Sequence, residues 1–330
     1  MDLCVRTLFS LQNAREFSEE AVSRNKIFIA KILHVFKLSI IIPTHKRTRI
    51  LQKCLDCLSA QTFKDFEVIV VSDGPDEKTA EMMQGLTWPF EIQYFAIPKS
   101  QQGICRNRAV EKARGDIVLL IGDDAFLAPD ACERHIRIHE NNQSRNRQSP
   151  TNSQSPITNH EHVAVLGHAT WDPSLKITKL MRWMEKSGVQ FGYDKITKYA
   201  HDFLPEDLQH WFAYTINFSL PAKVLYQNQF REDVSLYGWE DIEWCLRLKD
   251  AGVRVFYEPD AKAYHHHEFS DAEVWERSKL LGISAVKMEE LVPELKLVPR
   301  GLKKLAYRLT SLLPTYMGKH RRMFLKGMKS

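Results

Sequence analysis

The chain has 330 residues, of which 44% are hydrophobic and 26% are charged. This composition is ordinary for a soluble globular protein that buries a full core. The net charge of +5 is unevenly spread, because residues 295–330 contain ten basic and no acidic residues, which leaves 36 basic against 41 acidic residues elsewhere. The protein is therefore not generally basic.

Six cysteines in a chain of this length do not indicate a disulfide framework and predict a reducing compartment. Cys54 and Cys57 form a CxxC within a helical pattern, and we interpret them as small core residues. No apolar run reaches the ~18 residues needed to cross a bilayer. The first residues, MDLCVRTLFSLQ, lack the features of a secretory signal. We expect a cytoplasmic protein, or one bound peripherally at the inner face of the cell membrane.

Residues 1–37 form a predicted extension, with an amphipathic helix at 15–36. Four mainly apolar runs follow and are predicted as strands, at 38–44, 66–74, 92–98 and 116–124. Helical patterns at 47–60 and 104–115 lie between them. This alternation predicts an α/β fold, a Rossmann-like, mainly parallel sheet flanked by helices.

A polar stretch at 140–161, rich in Ser, Asn and Gln, is predicted to be a flexible insertion. Regular structure resumes at 162–171, and a helix after Trp239 precedes a further strand at 253–259. We divide the chain into the extension 1–37, a core domain 38–270 and a helical basic tail 271–330.

Ligands bind beyond the carboxyl ends of the strands in an open parallel sheet. At those ends stand Pro43-Thr44, Ser72-Asp73-Gly74 and Gly122-Asp123-Asp124. Neither GxGxxG nor GxxxxGK[ST] is present, which excludes the usual dinucleotide and P-loop motifs. Adjacent aspartates suit Mg²⁺ or Mn²⁺, and a cation there would bind a diphosphate. The alternative is that these acids simply begin a turn.

Taken together, four stretches resemble the family 2 glycosyltransferases, which have the GT-A fold. LSIIIPTHKR resembles the opening strand of that family, and DFEVIVVSDGPDEKT resembles its second strand. QGICRNRAVEKARGDIVLLIGDDAFLAPD resembles the segment that runs into the metal-binding DxD motif. YGWEDIEWCLRLKDAGVRVFYEPDAKAYHH resembles the ED motif, the following strand and a terminal histidine. The resemblance covers residues 38–267.

On the donor side, the resemblance implies roles for five residues. Asp73 would accept a hydrogen bond from the base of a nucleotide-sugar donor, and Pro43 and Thr44 would line that pocket. Arg106 would reach the base or the diphosphate. Asp123 would lie near the ribose.

The resemblance also implies a divalent metal, Mn²⁺ or Mg²⁺, on Asp124, with His265 as a further metal or phosphate contact. Asp241 stands where inverting members have the general base, and Glu240 would contact the acceptor or fix its loop. The alternative for both acids is a helix cap, because acids favour helix N-termini. Consecutive histidines on a strand point to opposite faces, so at most His265 and His267 could share a ligand.

Two further residues are candidates for the sugar or acceptor pocket. Trp239 precedes the acids, and its ring could stack on a sugar or pack in the core. Asn217 matches a family position near the sugar pocket. Three departures bear on these roles: Gly122 at the first DxD position, Ser72 before Asp73, and Asn228-Gln229 with Arg231 where paired glycines and an aspartate are common.

The basic tail contains spaced leucines and aromatic residues, so it could lie on an anionic membrane or pack as a terminal helix with a solvated face.

The leading hypothesis is an inverting transferase of polysaccharide or cell-envelope synthesis, which moves a sugar from a UDP- or GDP-sugar to a glycan or lipid-linked acceptor. The alternatives are a degenerate domain that binds without turnover and a sugar-1-phosphate nucleotidyltransferase. The latter needs a glycine-rich basic loop after the first strand, but IIPTHKRTRI has the bases without glycines. We expect no nucleic-acid partner, because no known motif accompanies the charge.

Overall fold

A computed structural model describes residues 35–148 and 162–330. The helix predicted at 15–36 and the second half of the predicted insertion lie outside these residues, apart from the last two positions of that helix. Residues 37–330 form one compact unit, which includes the C-terminal helices.

The first half of the sheet consists of four parallel strands in the order β3-β2-β1-β4. Their bounds are β1 Leu38–Thr44, β2 Phe66–Asp73, β3 Glu91–Ile97 and β4 Ile117–Ile121. β1, β2 and β4 are buried along their whole length, as their continuous apolar sequences predict, whereas β3 is partly exposed at the sheet edge. The predicted parallel sheet is confirmed, with strand bounds within three residues of those expected.

The second half of the sheet begins with a strand that runs the other way. β8 (Asn217–Pro221) pairs antiparallel with both β4 and β6 (His162–Trp171). β6 is parallel to the long β9 (Val253–His265), with a bulge at Gly167/His168. The short strands β5 (Ala125–Leu127) and β7 (Asp202–Phe203) add to β9. In the described ranges the sheet therefore has nine strands. The C-terminal ends of β4 and β9 and the N-terminal end of β8 lie at the same sheet edge.

Helices connect the strands and bury their apolar faces. They are α1 Thr48–Ser59, α2 Glu77–Gly85, α3 Gln102–Val110, α4 Ala131–Gln148, α5 Lys179–Ser187, α6 Ala222–Gln227 and α7 Glu240–Asp250. Short 3₁₀ turns occur at Tyr193–Lys195, Thr197–Tyr199, Gln209–Phe212 and Pro293–Leu295. Because α4 continues to Gln148, the first nine residues of the predicted insertion are helical, which corrects that expectation.

Three helices form the C-terminal segment: α8 (Asp271–Leu291), α9 (Gly301–Ser311) and α10 (Tyr316–Gly327). A capping box at Ser270 begins α8. α10 packs closely on α8, because Gly282 and Gly327 leave room where the two backbones meet. In contrast, most residues of α9 are exposed.

None of the helices within 35–148 and 162–330 is long and apolar enough to span a membrane. The five cysteines in this part of the chain are free thiols. Cys54 is fully buried and Cys57 is half-buried in α1, as expected of core residues.

Candidate active site

The register of the sheet brings the acidic residues to one edge. Ile121, the last residue of β4, pairs with Asn217, the first residue of the antiparallel β8. The chain therefore leaves β4 towards Asp123 and enters β8 from Thr215 at the same edge. β9 ends there as well, because its last residue, His265, pairs with Ala125. Polar side chains from three distant parts of the sequence thus surround the carboxyl end of the parallel strands.

Asp123 and Asp124 form a buried ion-pair cluster with Arg47, which precedes α1. Arg47 Nε donates to Asp123 Oδ2 over 3.1 Å and Nη1 donates to Asp124 Oδ2 over 2.7 Å, while Nη2 also binds Asp123. Thr44 Oγ1 donates to Asp123 Oδ2 over 2.7 Å. The side chains of Asp123 and Asp124 are 1% and 8% exposed, and the Arg47 guanidinium is the main compensation of Asp123 for lost water.

The two carboxyl groups have opposite pKa shifts. Burial raises the pKa of Asp123 to about 6, although the Arg47 charge opposes the shift. Burial also disfavours ionised Asp124, but hydrogen bonds from His265 and His267 and the charges of His265 and Arg47 outweigh it. They hold the pKa of Asp124 well below its usual value. Asp124 is therefore the permanently ionised member of the pair at neutral pH.

Two histidines complete a possible metal-ligand set with Asp124. His265 Nε2 lies 3.4 Å and His267 Nδ1 lies 3.3 Å from Asp124 Oδ2, and one ligand atom from each residue lies within 4.8 Å of the others. His266 points elsewhere, to Asp172 over 2.7 Å. One carboxylate and two imidazoles fit a divalent cation that accepts nitrogen ligands, which Mg²⁺ does poorly. This donor set includes His267, for which the sequence predicted only that it could share a ligand with His265.

Asp241, in the first turn of α7, lies beside Thr215. The hydroxyl of Thr215 donates to Asp241 Oδ2 over 2.8 Å, and its backbone N–H donates over 3.3 Å. The other oxygen, Oδ1, has no hydrogen bond within the described residues, and Arg106 Nη1 lies 3.8 Å from it. Although the side chain is 28% exposed, the surrounding protein desolvates the carboxylate and raises the pKa of Asp241, against the charge of Arg106 and the bonds from Thr215.

Glu240, which precedes Asp241, is the second acid of this cluster. Burial and the neighbouring Asp241 raise the pKa of Glu240 to about 7. Glu240 Oε2 and Arg106 Nε also lack hydrogen-bond partners in the described part of the chain. Buried polar atoms are normally bonded, so this concentration of unsatisfied atoms indicates a place where a ligand binds.

A wall of aromatic rings connects the two acidic clusters. Tyr214, next to Thr215, has its ring 6.0 Å from that of Phe191, and Phe191 lies 5.4 Å from the His265 ring. Since His265 contacts Asp124, the Asp124 and Asp241 clusters are joined by a continuous set of contacts at one sheet edge.

The structure places the predicted donor residues as follows. Asp73 ends β2, but its carboxylate is engaged by Lys99 Nζ at 2.5 Å and by the Ser100 N–H at 2.6 Å. Burial raises its pKa, yet the bonds from Lys99 and Ser100 produce a net lowering. Pro43 and Thr44 are buried at the end of β1, where Thr44 orients Asp123. Arg106, expected at the donor's base or diphosphate, lies 3.8 Å from Asp241, and its role towards the donor stays a prediction.

Trp239 and Asn217 were predicted to lie in the sugar or acceptor pocket, and the side chains of both make hydrogen bonds within the protein. Trp239 is half-buried and donates from Nε1 to the carbonyl of Leu281 in α8 over 3.0 Å, so it joins α7 to α8. Asn217 is fully buried; it donates to the carbonyl of Ala261 over 2.7 Å and accepts from His135 Nε2 over 2.9 Å. We therefore find Asn217 in the packing between β8, β9 and α4 rather than with the acids.

The departures from the family pattern have local explanations. A Cβ at Gly122 would lie 2.8 Å from Asp124 Oδ1, so glycine leaves room for the Asp124 carboxylate. Ser72 is buried and donates to the carbonyl of Gly74 over 2.6 Å, which stabilises the turn after β2. Arg231 pairs with Asp233, two residues along the chain. Arg47 and Thr215 were missed because neither forms a recognisable motif, although the basic residues after the first strand were a signal for Arg47.

Residues 39–148 match the family model described as glycosyl transferase family 2. An uncharacterized glycosyltransferase, YfnE, of Bacillus subtilis is 26% identical over 259 residues, which are 71% of this chain and 66% of YfnE. The GalNAc(5)-diNAcBac-PP-undecaprenol beta-1,3-glucosyltransferase of Campylobacter jejuni is 34% identical over 98 residues, or 29% of this chain and 32% of that protein. These matches therefore span two thirds or less of the length of either relative.

Two solved structures are similar in fold. The mannosyltransferase PcManGT of Pyrobaculum calidifontis, in complex with GDP-Man and Mn²⁺, has a TM-score of 0.52 at 14% identity, over 90% of this chain and 75% of that one. S. aureus TarS 1-349, in complex with UDP-GlcNAc, has a TM-score of 0.51 at 14% identity, over 88% and 79%. These findings lead to one conclusion: residues 39–148 match glycosyl transferase family 2, and the chain has the GT-A fold.

Proposed function

We propose that the protein transfers a sugar, with inversion, from a nucleoside diphosphate sugar to a hydroxyl group of a glycan or a lipid-linked acceptor. The observation that carries the proposal is the pair of acidic clusters at one sheet edge. One contains Asp123 and Asp124 and suits a diphosphate with its cation. The other contains Asp241, whose Oδ1 has no hydrogen-bond partner within the described residues.

Asp241 is the proposed general base. Its Oδ2 is fixed by two hydrogen bonds from Thr215, so Oδ1 remains to accept the proton of the attacking hydroxyl. A raised pKa makes this carboxylate a stronger base than an exposed aspartate. Arg106 lies close enough to favour the ionised form before the reaction.

Glu240 is the proposed acceptor contact. Because the pKa of Glu240 is about 7, its carboxyl group is protonated in a large fraction of the molecules at neutral pH and can then donate a hydrogen bond. It lines a recess together with Gln101, Gln102 and Gly103 at the start of α3. These groups are suited to bind sugar hydroxyls.

On the donor side, Asp124, His265 and His267 would hold the divalent cation. When bound, it offsets the negative charge of the departing nucleoside diphosphate. Asp123 would contact the ribose, and Asp73 would shape the base pocket through Lys99 and Ser100. We infer a UDP- or GDP-sugar as donor because the related folds were solved with UDP-GlcNAc and GDP-Man.

Release of UDP or GDP from a panel of nucleotide sugars, with and without Mn²⁺, tests this function. We expect Asp241→Asn to lower turnover by about 10²–10⁴-fold, the usual contribution of a general base, and to retain donor binding in a thermal-shift assay. The matched control is Asp250→Asn at the exposed end of the same helix, which should keep full turnover. Full turnover of Asp241→Asn would exclude it as the base.

Binding without turnover is the second candidate, and one observation favours it. Arg47 already bridges the two acids at the cation position, and Gly122 removes a third acid. Release of the nucleoside diphosphate that depends on both donor and acceptor would exclude this alternative. The nucleotidyltransferase alternative is disfavoured by the family 2 match.

A further inference from the structure

Helix α9 carries an exposed apolar stripe that faces away from the rest of the protein. The exposed fractions are 85% for Leu302, 52% for Leu305 and 59% for Leu309. Just beyond the helix, Leu312 and Leu313 are 77% and 50% exposed. The spacing of Leu302, Leu305 and Leu309 follows the helical period, so these three lie on one side of α9. Soluble proteins seldom expose so many leucines together.

The opposite side of α9 is attached to α10. Arg321 Nη1 donates to Thr310 Oγ1 over 2.6 Å, and Arg322 donates to the carbonyl of Ser311 over 2.9 Å. The Tyr307 ring lies 4.8 Å from the Arg321 guanidinium. Since α10 is itself packed on α8, the orientation of the stripe is fixed by the body of the protein.

The charges around the stripe have one sign. Lys303, Lys304 and Arg308 flank the leucines, no acidic residue occurs in residues 295–330, and Arg300 before the helix pairs with Glu289 of α8. An amphipathic helix with basic residues beside an apolar stripe is typical of helices that lie in the interface of an anionic bilayer. A symmetric contact with a second copy would instead bring the basic residues of both copies together.

We propose that the leucine stripe of α9 docks on the surface of an anionic lipid bilayer, with the leucines inserted between lipids and the flanking basic residues on the headgroups. The inference rests on the surface of α9 and not on the catalytic assignments. It also deepens the proposed function, because a lipid-linked acceptor would be presented at such a surface.

Co-sedimentation of the full chain with vesicles tests the proposal. We expect binding to vesicles of phosphatidylcholine mixed with phosphatidylglycerol, and much weaker binding to phosphatidylcholine alone. The double variant Leu302→Gln with Leu309→Gln should bind the anionic vesicles about tenfold more weakly than the unaltered chain, because two inserted side chains lose their apolar contact. Leu86→Gln is the matched control, since Leu86 is also exposed but lies after α2.

Each outcome is decisive. Equal binding by the double variant and the unaltered chain, or no binding to anionic vesicles, would overturn the proposal. Self-association that the double variant abolishes, without vesicle binding, would assign the stripe to a second copy instead. Nucleoside diphosphate release with a soluble acceptor should be unchanged in the double variant. Failure of membrane docking is therefore distinguishable from failure of the proposed transfer.

Discussion

Removal of Arg47 tests the arrangement of the donor-side acids most directly. In Arg47→Met, the carboxylates of Asp123 and Asp124 lose a guanidinium that contacts both of them. Removing one partner of a buried ion pair costs about 3–5 kcal/mol, and we expect the lower end because the Arg47 side chain is 30% exposed. Urea unfolding should therefore show a loss of about 3 kcal/mol above neutral pH.

The loss should depend on pH in a defined direction. The folded-state pKa of Asp123 is raised to about 6, so the folded protein carries the free-energy cost of a buried charge above that pH. Protonation of Asp123 below about pH 6 removes this cost. Without Arg47 this pKa rises further, and the difference between variant and unaltered chain should shrink as the pH falls through about 6. Mn²⁺ should stabilise the variant more than the unaltered chain, and at a hundredfold excess over its dissociation constant from the variant it should add about 2.7 kcal/mol to the stability of the variant.

Arg134→Met is the matched control, because Arg134 pairs with the more exposed Asp130 at (i, i+4). Such a pair contributes about 0–1 kcal/mol, so this variant should unfold almost as the unaltered chain does. If Arg47→Met were as stable as Arg134→Met above neutral pH, or if its loss did not shrink in acid, the buried cluster would not exist as described.

Three further predictions concern the metal, the base and the tail. His267→Gln should weaken Mn²⁺ binding by at least about tenfold in calorimetry, whereas His266→Gln should not; equal affinities would remove His267 from the ligand set. Turnover should rise with pH as Asp241 ionises, at a pH above the usual aspartate range because burial raises its pKa, and should fall above about pH 7, where Glu240 loses the proton that it donates; a flat pH–rate profile would contradict this. Gly282→Ala should lower the free energy of unfolding by about 1–3 kcal/mol, because its Cβ would overlap the α10 backbone. Gly85→Ala has open space and should not; comparable urea midpoints for the two would refute the packing.

The sheet could be predicted because its buried strands are apolar along their length. β1, β2 and β4 stand out as uninterrupted runs of Ile, Val and Leu, and their burial is nearly complete. The polar stretch after residue 140 misled the prediction, since local polarity does not exclude a helix whose first half is anchored by buried residues such as Ile136 and His139.

The site was predictable only where a motif is contiguous. Asp124 and Asp241 were identified from short sequence patterns, and the structure places both at the expected sheet edge. The partners that tune them could not be found in the same way, because Arg47 and Thr215 meet them only through strand pairing. Arg106 shows the same limit, because its position 3.8 Å from Asp241 depends on the packing of α3 and cannot be read from its sequence context.

The reversed strand β8 divides the proposed site along the sequence. Asp73, Asp123 and Asp124 precede β8, whereas the proposed base Asp241 and the proposed cation ligands His265 and His267 follow it. Changes around Asp241 can therefore accumulate without altering the segments that carry the three earlier aspartates, but a change in β9 would reach the cation ligands. The family model matches residues 39–148, which include the three aspartates and neither Asp241 nor the histidines.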